Sequence, residues 1–127
     1  MATSLLNMGF VACHQDDYPA AEALYKESLA IFREMNHQSG LMWAMEGTAS
    51  SFLGQGKTED AVLLLGGVHA MRERIGVPHS PPQKTIHESQ IEQARQELGE
   101  THFAEIWAKA VSESWGQTVA IILGETR

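Results

Sequence analysis

The clearest alternation of apolar and polar positions lies in Asp16–Phe32, DDYPAAEALYKESLAIF. Ala21, Leu24, Tyr25, Ser28, Ile31 and Phe32 recur there at spacings of three and four, which is one face of a helix. Tyr18-Pro19 opens the segment, with proline at the first helical position, where its missing N–H costs nothing. Ala21 and Ser28 are small and Tyr25 is a large knob between them, so this helix expects an antiparallel neighbour on each side. Thr3–Gln15 upstream carries Leu5, Met8, Gly9 and Ala12 at helical spacing. Gly40–Leu53 downstream carries Leu41, Met45, Thr48, Ala49 and Phe52. Glu59–Ile75 follows, with Ala61, Leu64, Leu65, Val68, Arg72 and Ile75 on one face and Thr58 placed to cap its start. Gly66-Gly67 in its middle weakens it by about 1 kcal/mol per glycine relative to alanine. That cost predicts another helix passing close by.

Gly76 ends this helix, and Val77–Pro82 reads as a stiff connector. Ser80-Pro81-Pro82-Gln83 then combines an N-cap, an early proline and a glutamine three residues on, a capping box. The helix it starts runs to about Leu98, stopped by Gly99, with a sparse apolar face of Ile86, Ile91, Ala94 and Leu98. Thr101–Val111 has a fuller stripe of Phe103, Ile106, Trp107, Ala110 and Val111. Ser114 and Gln117 repeat the capping-box spacing, so Trp115–Leu123 reads as a last short helix, with a buried strand at Val119–Leu123 as the alternative. No segment alternates for long in the two-residue rhythm of a strand, and the fold expected is all-α.

The pattern also repeats. Asp16-Asp17-Tyr18 is followed by Ala21 and Tyr25, and 40 residues later Gly56-Lys57-Thr58 is followed by Ala61 and Leu65. Each turn joins two amphipathic helices, so the unit is helix, turn, helix, used twice. These residues resemble the tetratricopeptide repeat, whose first helix carries a large residue, then leucine and glycine, then an aromatic, and whose second carries alanine, an aromatic and alanine. Those places hold Leu5, Met8, Gly9 and Ala12, then Ala21, Tyr25 and Ser28, in the first unit. In the second they hold Met45, Thr48, Ala49 and Phe52, then Ala61, Leu65 and Val68. The period exceeds the usual ~34 residues, Ala12 stands for an aromatic, and the proline after the second helix is missing. A longer second helix and the Asn36–Ser39 connection account for the extra length. The resemblance implies a right-handed superhelix with two repeats in 1–76 and a helical capping segment of the same domain in 77–127. The polar Gln83–Glu97 helix would close its end.

A second resemblance covers the latter half of the chain. LLGGVHAMRERIGVP, then ARQELGETHFAEIWAKAVSESWGQTVAIIL, is similar to the C-terminal tail of large bacterial LuxR-type transcriptional regulators with an ATPase module, and of related kinase or adenylate-cyclase fusions. The shared features are Leu98-Gly99, Phe103, Trp107 and a serine-started last helix at Ser114. The resemblance implies a piece of a larger signalling or regulatory protein.

Composition narrows the partners. With 127 residues, 43% hydrophobic and 20% charged, the chain is a folded domain with its own core. A net charge of −7 argues against nucleic acid and against an anionic membrane surface. The single cysteine, Cys13, forms no internal disulfide, which fits a reducing cytoplasm. No apolar run approaches the ~20 residues of a membrane span, and MATSLLNMGF lacks the basic start of a signal peptide.

Candidate chemistry is thin. Gly54-Gln55-Gly56-Lys57-Thr58 has the ending of a phosphate loop, but Ser51 stands where that loop needs glycine and a helix precedes it instead of a strand. The six histidines include no i, i+4 pair with another histidine or the cysteine, so no metal or other cofactor is expected. Cys13 and His14 are neighbours on a helix and point apart, which makes a partly buried thiol the better reading than a nucleophile and base. Glu88, Glu92 and Glu97 read as a solvated face, and Trp43, Trp107 and Trp115 as packing residues. The chain is not expected to be an enzyme.

In tetratricopeptide repeats the first helix of each unit lines a concave groove, which the resemblance assigns here to Leu6, Phe10, Cys13, His14, Trp43, Glu46, Ser50 and Leu53. That surface is unusually apolar for one facing water. It is either covered, by the C-terminal helices, a second copy or a further repeat, or it is a groove for a partner's peptide or helix anchored by Leu6, Phe10 and Trp43. The function expected is a non-catalytic protein-interaction module, the alternative a structural or dimerisation domain. A homodimer through Leu6, Phe10 and Cys13 of the first helix competes with a monomer in which Trp115–Leu123 folds back over them.

Overall fold

The computed structural model describes residues 2–76, 81–112 and 115–124. All regular structure among them is helical: α1 (Ala2–His14), α2 (Tyr18–Met35), α3 (Gln38–Gly54), α4 (Thr58–Ile75), α5 (Pro81–Leu98), α6 (Glu100–Ser112) and α7 (Trp115–Ile122). The segment from Val119 that could have been a strand therefore belongs to a helix and the turn after it. The capping serines Ser80 and Ser114, the connector residues 77–80 and the side chains of Gln83 and Trp115 lie outside the described residues.

Local chemistry sets the helix ends. Asp17 caps α2, its Oδ1 accepting from the Ala20 amide at 3.4 Å, and Pro19 sits in the first turn. Asn36, left-handed at φ 53°, ends α2, and His37 caps α3 by accepting from the Gly40 amide at 2.9 Å. Thr58 does not cap α4 as expected. No side chain does, and the Thr58 hydroxyl instead donates to Glu97 Oε2 at 2.7 Å, across to α5. The first turn of α4 carries Glu59 and Asp60 and its last turn Arg72 and Arg74, charges that complement the helix dipole.

The joint between α2 and α3 is a size match. Tyr18, Tyr25 and Phe32 stand seven residues apart, two helical turns, and so line up along α2. Gly54, Gly47 and Gly40 have the same spacing on the antiparallel α3, and each faces one of these rings. A Cβ at Gly40 would overlap Phe32, one at Gly47 would overlap Tyr25, and one at Gly54 would come within 2.5 Å of Tyr18. Tyr25 also reaches α1, where a Cβ on Gly9 would be 3.0 Å from its ring. Leu29 is fully buried on α2 beside the expected Ala21, Tyr25, Ser28 and Phe32, so the buried face is wider than the three-and-four spacing implied.

A polar clamp closes the outer side of the same joint. The Glu22 carboxylate of α2 takes Lys26 at 2.8 Å, Gln55 Nε2 at 2.8 Å and Lys57 at 3.0 Å. Both ammonium groups also lie over the Phe52 ring, at 5.6 and 5.5 Å. Burial pushes the Glu22 pKa up, but the donors from Lys26, Lys57 and Gln55 overcome this and bring it to about 2.

The helix at the centre is α4, which packs against α3, α5, α6 and α7. Val62 and Met71 are buried in addition to its expected face, because partners approach from several sides. The glycine pair is where they come closest. A Cβ on Gly66 would sit 2.5 Å from Ala110 of α6, and one on Gly67 would meet Met45 of α3 at 3.3 Å and Thr118 of α7 at 3.7 Å. The close passage predicted from Gly66-Gly67 is present.

Helices α5 and α6 form a third pair, joined through Gly99 at φ 85° and by Arg95 over the Phe103 ring at 5.1 Å. They depart from the first two pairs, since α6 packs along α4 more extensively than α5 does. α5 instead lies across α3 and α4, its inward stripe running through His87, Ile91, Ala94 and Leu98. Ile86 is one position off that stripe and is 60% exposed, a correction to the expected apolar face. Met8, expected inward on α1, is likewise exposed, because α1 meets α2 and α3 through Leu6, Gly9 and Ala12.

Gly47→Ala will lose about 2 kcal/mol of stability in urea denaturation, because overpacking outweighs the better helix propensity of alanine. Gly116→Ala, where no described atom lies within 4 Å of the added Cβ, will gain a few tenths of a kcal/mol. The Glu22 carboxyl has its folded pKa below the ordinary 4.5, so its stabilisation is complete above that pH and is lost as the pH falls toward about 2. Glu22→Gln will therefore cost about 1 kcal/mol at pH 7, and the gap to wild type will close between pH 4.5 and 2. A gap that stays constant over that range would refute the clamp.

Candidate functional site

The first helices of the hairpins, α1, α3 and α5, enclose a cleft of about 330 Å3. α1 contributes Leu6, Asn7 and Phe10; α3 contributes Trp43, Glu46, Gly47 and Ser50; α5 contributes Ile86, His87 and Gln90. Tyr25 of α2 also lines it, and its ring reaches between Gly9 and Gly47, where a side chain on either glycine would have closed the space. Phe10, Trp43 and Ile86 are 58, 55 and 60% exposed, so three helices each present one large apolar side chain around a single opening.

The polar groups of the cleft hold its walls together. Glu46 pairs with the buried Arg72 of α4 at 2.7 Å. Ser50 Oγ accepts from Gln90 Nε2 of α5 at 2.6 Å and donates to the Glu46 carbonyl at 3.3 Å. What the opening presents to a visitor is chiefly apolar.

Of the eight residues expected to line a groove, the structure brings together Leu6, Phe10, Trp43, Glu46 and Ser50. Leu6, at 8% exposed, is wall and not anchor. Cys13, His14 and Leu53 do not line the cleft. Leu53 lies in the core a turn beyond Ser50. His14 is exposed and packs edge-on against Phe10 at 4.3 Å. Cys13 is half-buried beside Tyr25, each acting on the other's pKa. Burial raises the Cys13 thiol pKa, with Tyr25 offsetting part of the rise. Burial, together with Cys13, pushes the Tyr25 phenol up to about 12. A raised pKa reduces the thiolate fraction, and with it the reactivity of Cys13.

Of the three residues named for self-association, Phe10 is exposed, whereas Leu6 is buried and Cys13 half-buried, and the competing arrangement with α7 folded back over α1 is not present. Instead α7 lies on α4, with Thr118 at Gly67. Asn7, Tyr25, Gly47 and the α5 residues Ile86, His87 and Gln90 were not anticipated. For Tyr25 and Gly47 the shared seven-residue spacing was a visible signal; for α5 the sequence offered only a polar helix. Among the described residues, no group of three or more His, Cys, Asp or Glu could hold a metal ion. Among the same residues, no helix is long and apolar enough to cross a membrane.

With its pKa raised, Cys13 will react with an aromatic disulfide reagent at pH 8 at least tenfold more slowly in the native protein than in 8 M urea. Equal rates would contradict the burial described.

No curated protein and no solved structure matches this chain significantly. The family model for the tetratricopeptide repeat matches residues 1–74, the stretch occupied by the α1–α2 and α3–α4 hairpins. Members of this family generally act in protein–protein interaction. The matched span, the two stacked hairpins and the all-helical architecture lead to one conclusion: the chain belongs to the tetratricopeptide repeat family.

Proposed function

We propose that this chain is a non-catalytic interaction module whose cleft between α1, α3 and α5 takes the apolar face of a partner's helix or extended peptide. The observation that carries this reading is the convergence of Phe10, Trp43 and Ile86, all largely exposed, around one opening whose Glu46, Ser50 and Gln90 are already engaged with one another or with Arg72. Aromatic anchors at a concave surface are where binding energy concentrates. Residues 77–127 act in this reading as part of the same domain as 1–76, since α5 completes the wall. The resemblance of the tail to large bacterial LuxR-type regulators supports a piece of a longer cytoplasmic signalling or transcriptional protein. The net charge of −7 supports a protein partner, with neither nucleic acid nor an anionic membrane contacted directly.

A second reading, a dimerisation domain, is favoured by one observation. Met8, Phe10 and Val11 are all more than half exposed on the single helix α1. At ~25 cal/mol per Å2, covering a few hundred Å2 of such surface supplies several kcal/mol before the costs of association.

Peptides selected from a random display library on the wild-type chain will lose at least tenfold in affinity on Phe10→Glu and on Trp43→Ala, both exposed sites where folding is unaffected, and will keep it on Met8→Glu. Retained affinity on the first two variants would place recognition outside the cleft. Sedimentation at micromolar concentration separates the second reading. A wild-type dimer that becomes monomeric on Met8→Glu or Phe10→Glu supports it, and a monomeric wild type removes it.

A further inference from the structure

A second cavity, of about 620 Å3, shares His87 with the cleft but opens between α4, α5 and α6. Its origin lies in how the third hairpin is held. α6 is drawn onto α4 at Gly66–Ala110, while α5 is tied elsewhere, by Gln90 to Ser50 of α3 and by Glu97 to Thr58 at the start of α4. A wedge is left between the C-terminal half of α4 and the N-terminal half of α5, with Trp107 of α6 beside it.

Three of the residues around this wedge, His69, His87 and Trp107, carry rings in contact with one another. Trp107 is stacked on Phe103 at 5.7 Å with 20° between the rings, and His69 of α4 lies 5.3 Å from Trp107. His69 and His87 are parallel to within 1° at 6.3 Å, and Ile91 adds an aliphatic surface. Charged residues line the cavity in balance, Arg72 and Lys84 against Glu73 and Glu88, so a ligand of neither sign is selected by charge alone. Two of these carboxylate or cationic groups are already engaged, Arg72 with Glu46 at 2.7 Å and Glu73 with His69 at 3.1 Å. Rings select flatness, because face and edge contacts with another ring exceed what area alone provides. The volume is within the ~300–1,000 Å3 range of small-molecule sites.

We infer that this cavity is a binding site for a small, flat, uncharged aromatic molecule of one or two rings, with an N–H or O–H edge that the surrounding polar groups can meet. It meets the apolar opening assigned to a protein partner only at His87 and does not depend on that assignment.

Indole is a suitable probe, and the protein carries its own reporters, since Trp43 lines the cleft and Trp107 the second cavity. In a titration of the full 15N-labelled chain, the Trp107 ring N–H and the amides of His69 and Ile91 will shift saturably, with a Kd below about 1 mM. Cyclohexanol, similarly apolar but not flat, will bind at least tenfold more weakly. His69→Leu keeps apolar bulk at a partly exposed position and removes a ring; it will weaken indole about tenfold with the melting temperature unchanged. The inference is overturned if no signal saturates up to the solubility of indole, if cyclohexanol binds equally, or if Trp43 responds while Trp107 stays still.

Discussion

Three rings of α2 seated on three glycines of α3 are the constraint on which the rest of the structure depends. A helix pair that meets backbone against aromatic face cannot slide, because a shift of one turn would set each ring against a side chain. Tyr25 carries this constraint further than Tyr18 or Phe32, since its ring also rests on Gly9 and so fixes α1 relative to α3. The distance between those two helices is the width of the cleft. Packing in the core thus sets the geometry of the recognition surface, and Tyr25 belongs to both.

The same device returns at Gly66-Gly67, with a different outcome. There the glycines let Ala110 of α6 close in on one side and Met45 and Thr118 approach on the other. Because α4 is wrapped by four helices, its apolar residues are spread around the axis and not gathered on one face. That is why a single-face reading of its sequence captured Leu64, Leu65 and Val68 but passed over Val62 and Met71. The helices α1 to α4 were legible because each turn carried its own chemistry and each helix its own period. Ser28 and Thr48, small residues fully buried at helix contacts, stood where the repeat pattern put them.

The site was legible only in part, and the division has a physical cause. Phe10, Trp43, Glu46 and Ser50 follow from the resemblance to the repeat, which assigns to the groove the non-core positions of its first helices, here α1 and α3. Leu53 and Cys13 failed because, near the ends of those helices, Leu53 is part of the core and Cys13 packs against it. The contribution of α5 could not be read from its sparse apolar pattern. What it buries depends on lying across α3 and α4, and its closest ties there are polar, Gln90 to Ser50 and Glu97 to Thr58. Hydrogen bonds between helices leave no periodic trace in a sequence.

This makes α5 more than an end cap. Without it, Trp43 and Ser50 would stand on an open helical face, since the third wall and Ile86 both come from α5. Its position is in turn linked to α4, because Glu46 beside Ser50 is held by Arg72, and His87 of α5 lines both the cleft and the cavity behind it. A displacement of α5 would alter both spaces at once. Any molecule that distinguishes two positions of α5 at one of them must therefore alter affinity at the other, by the reciprocity of linked equilibria. The two matched hairpins supply a rigid frame, and the irregular third hairpin decides what that frame can hold.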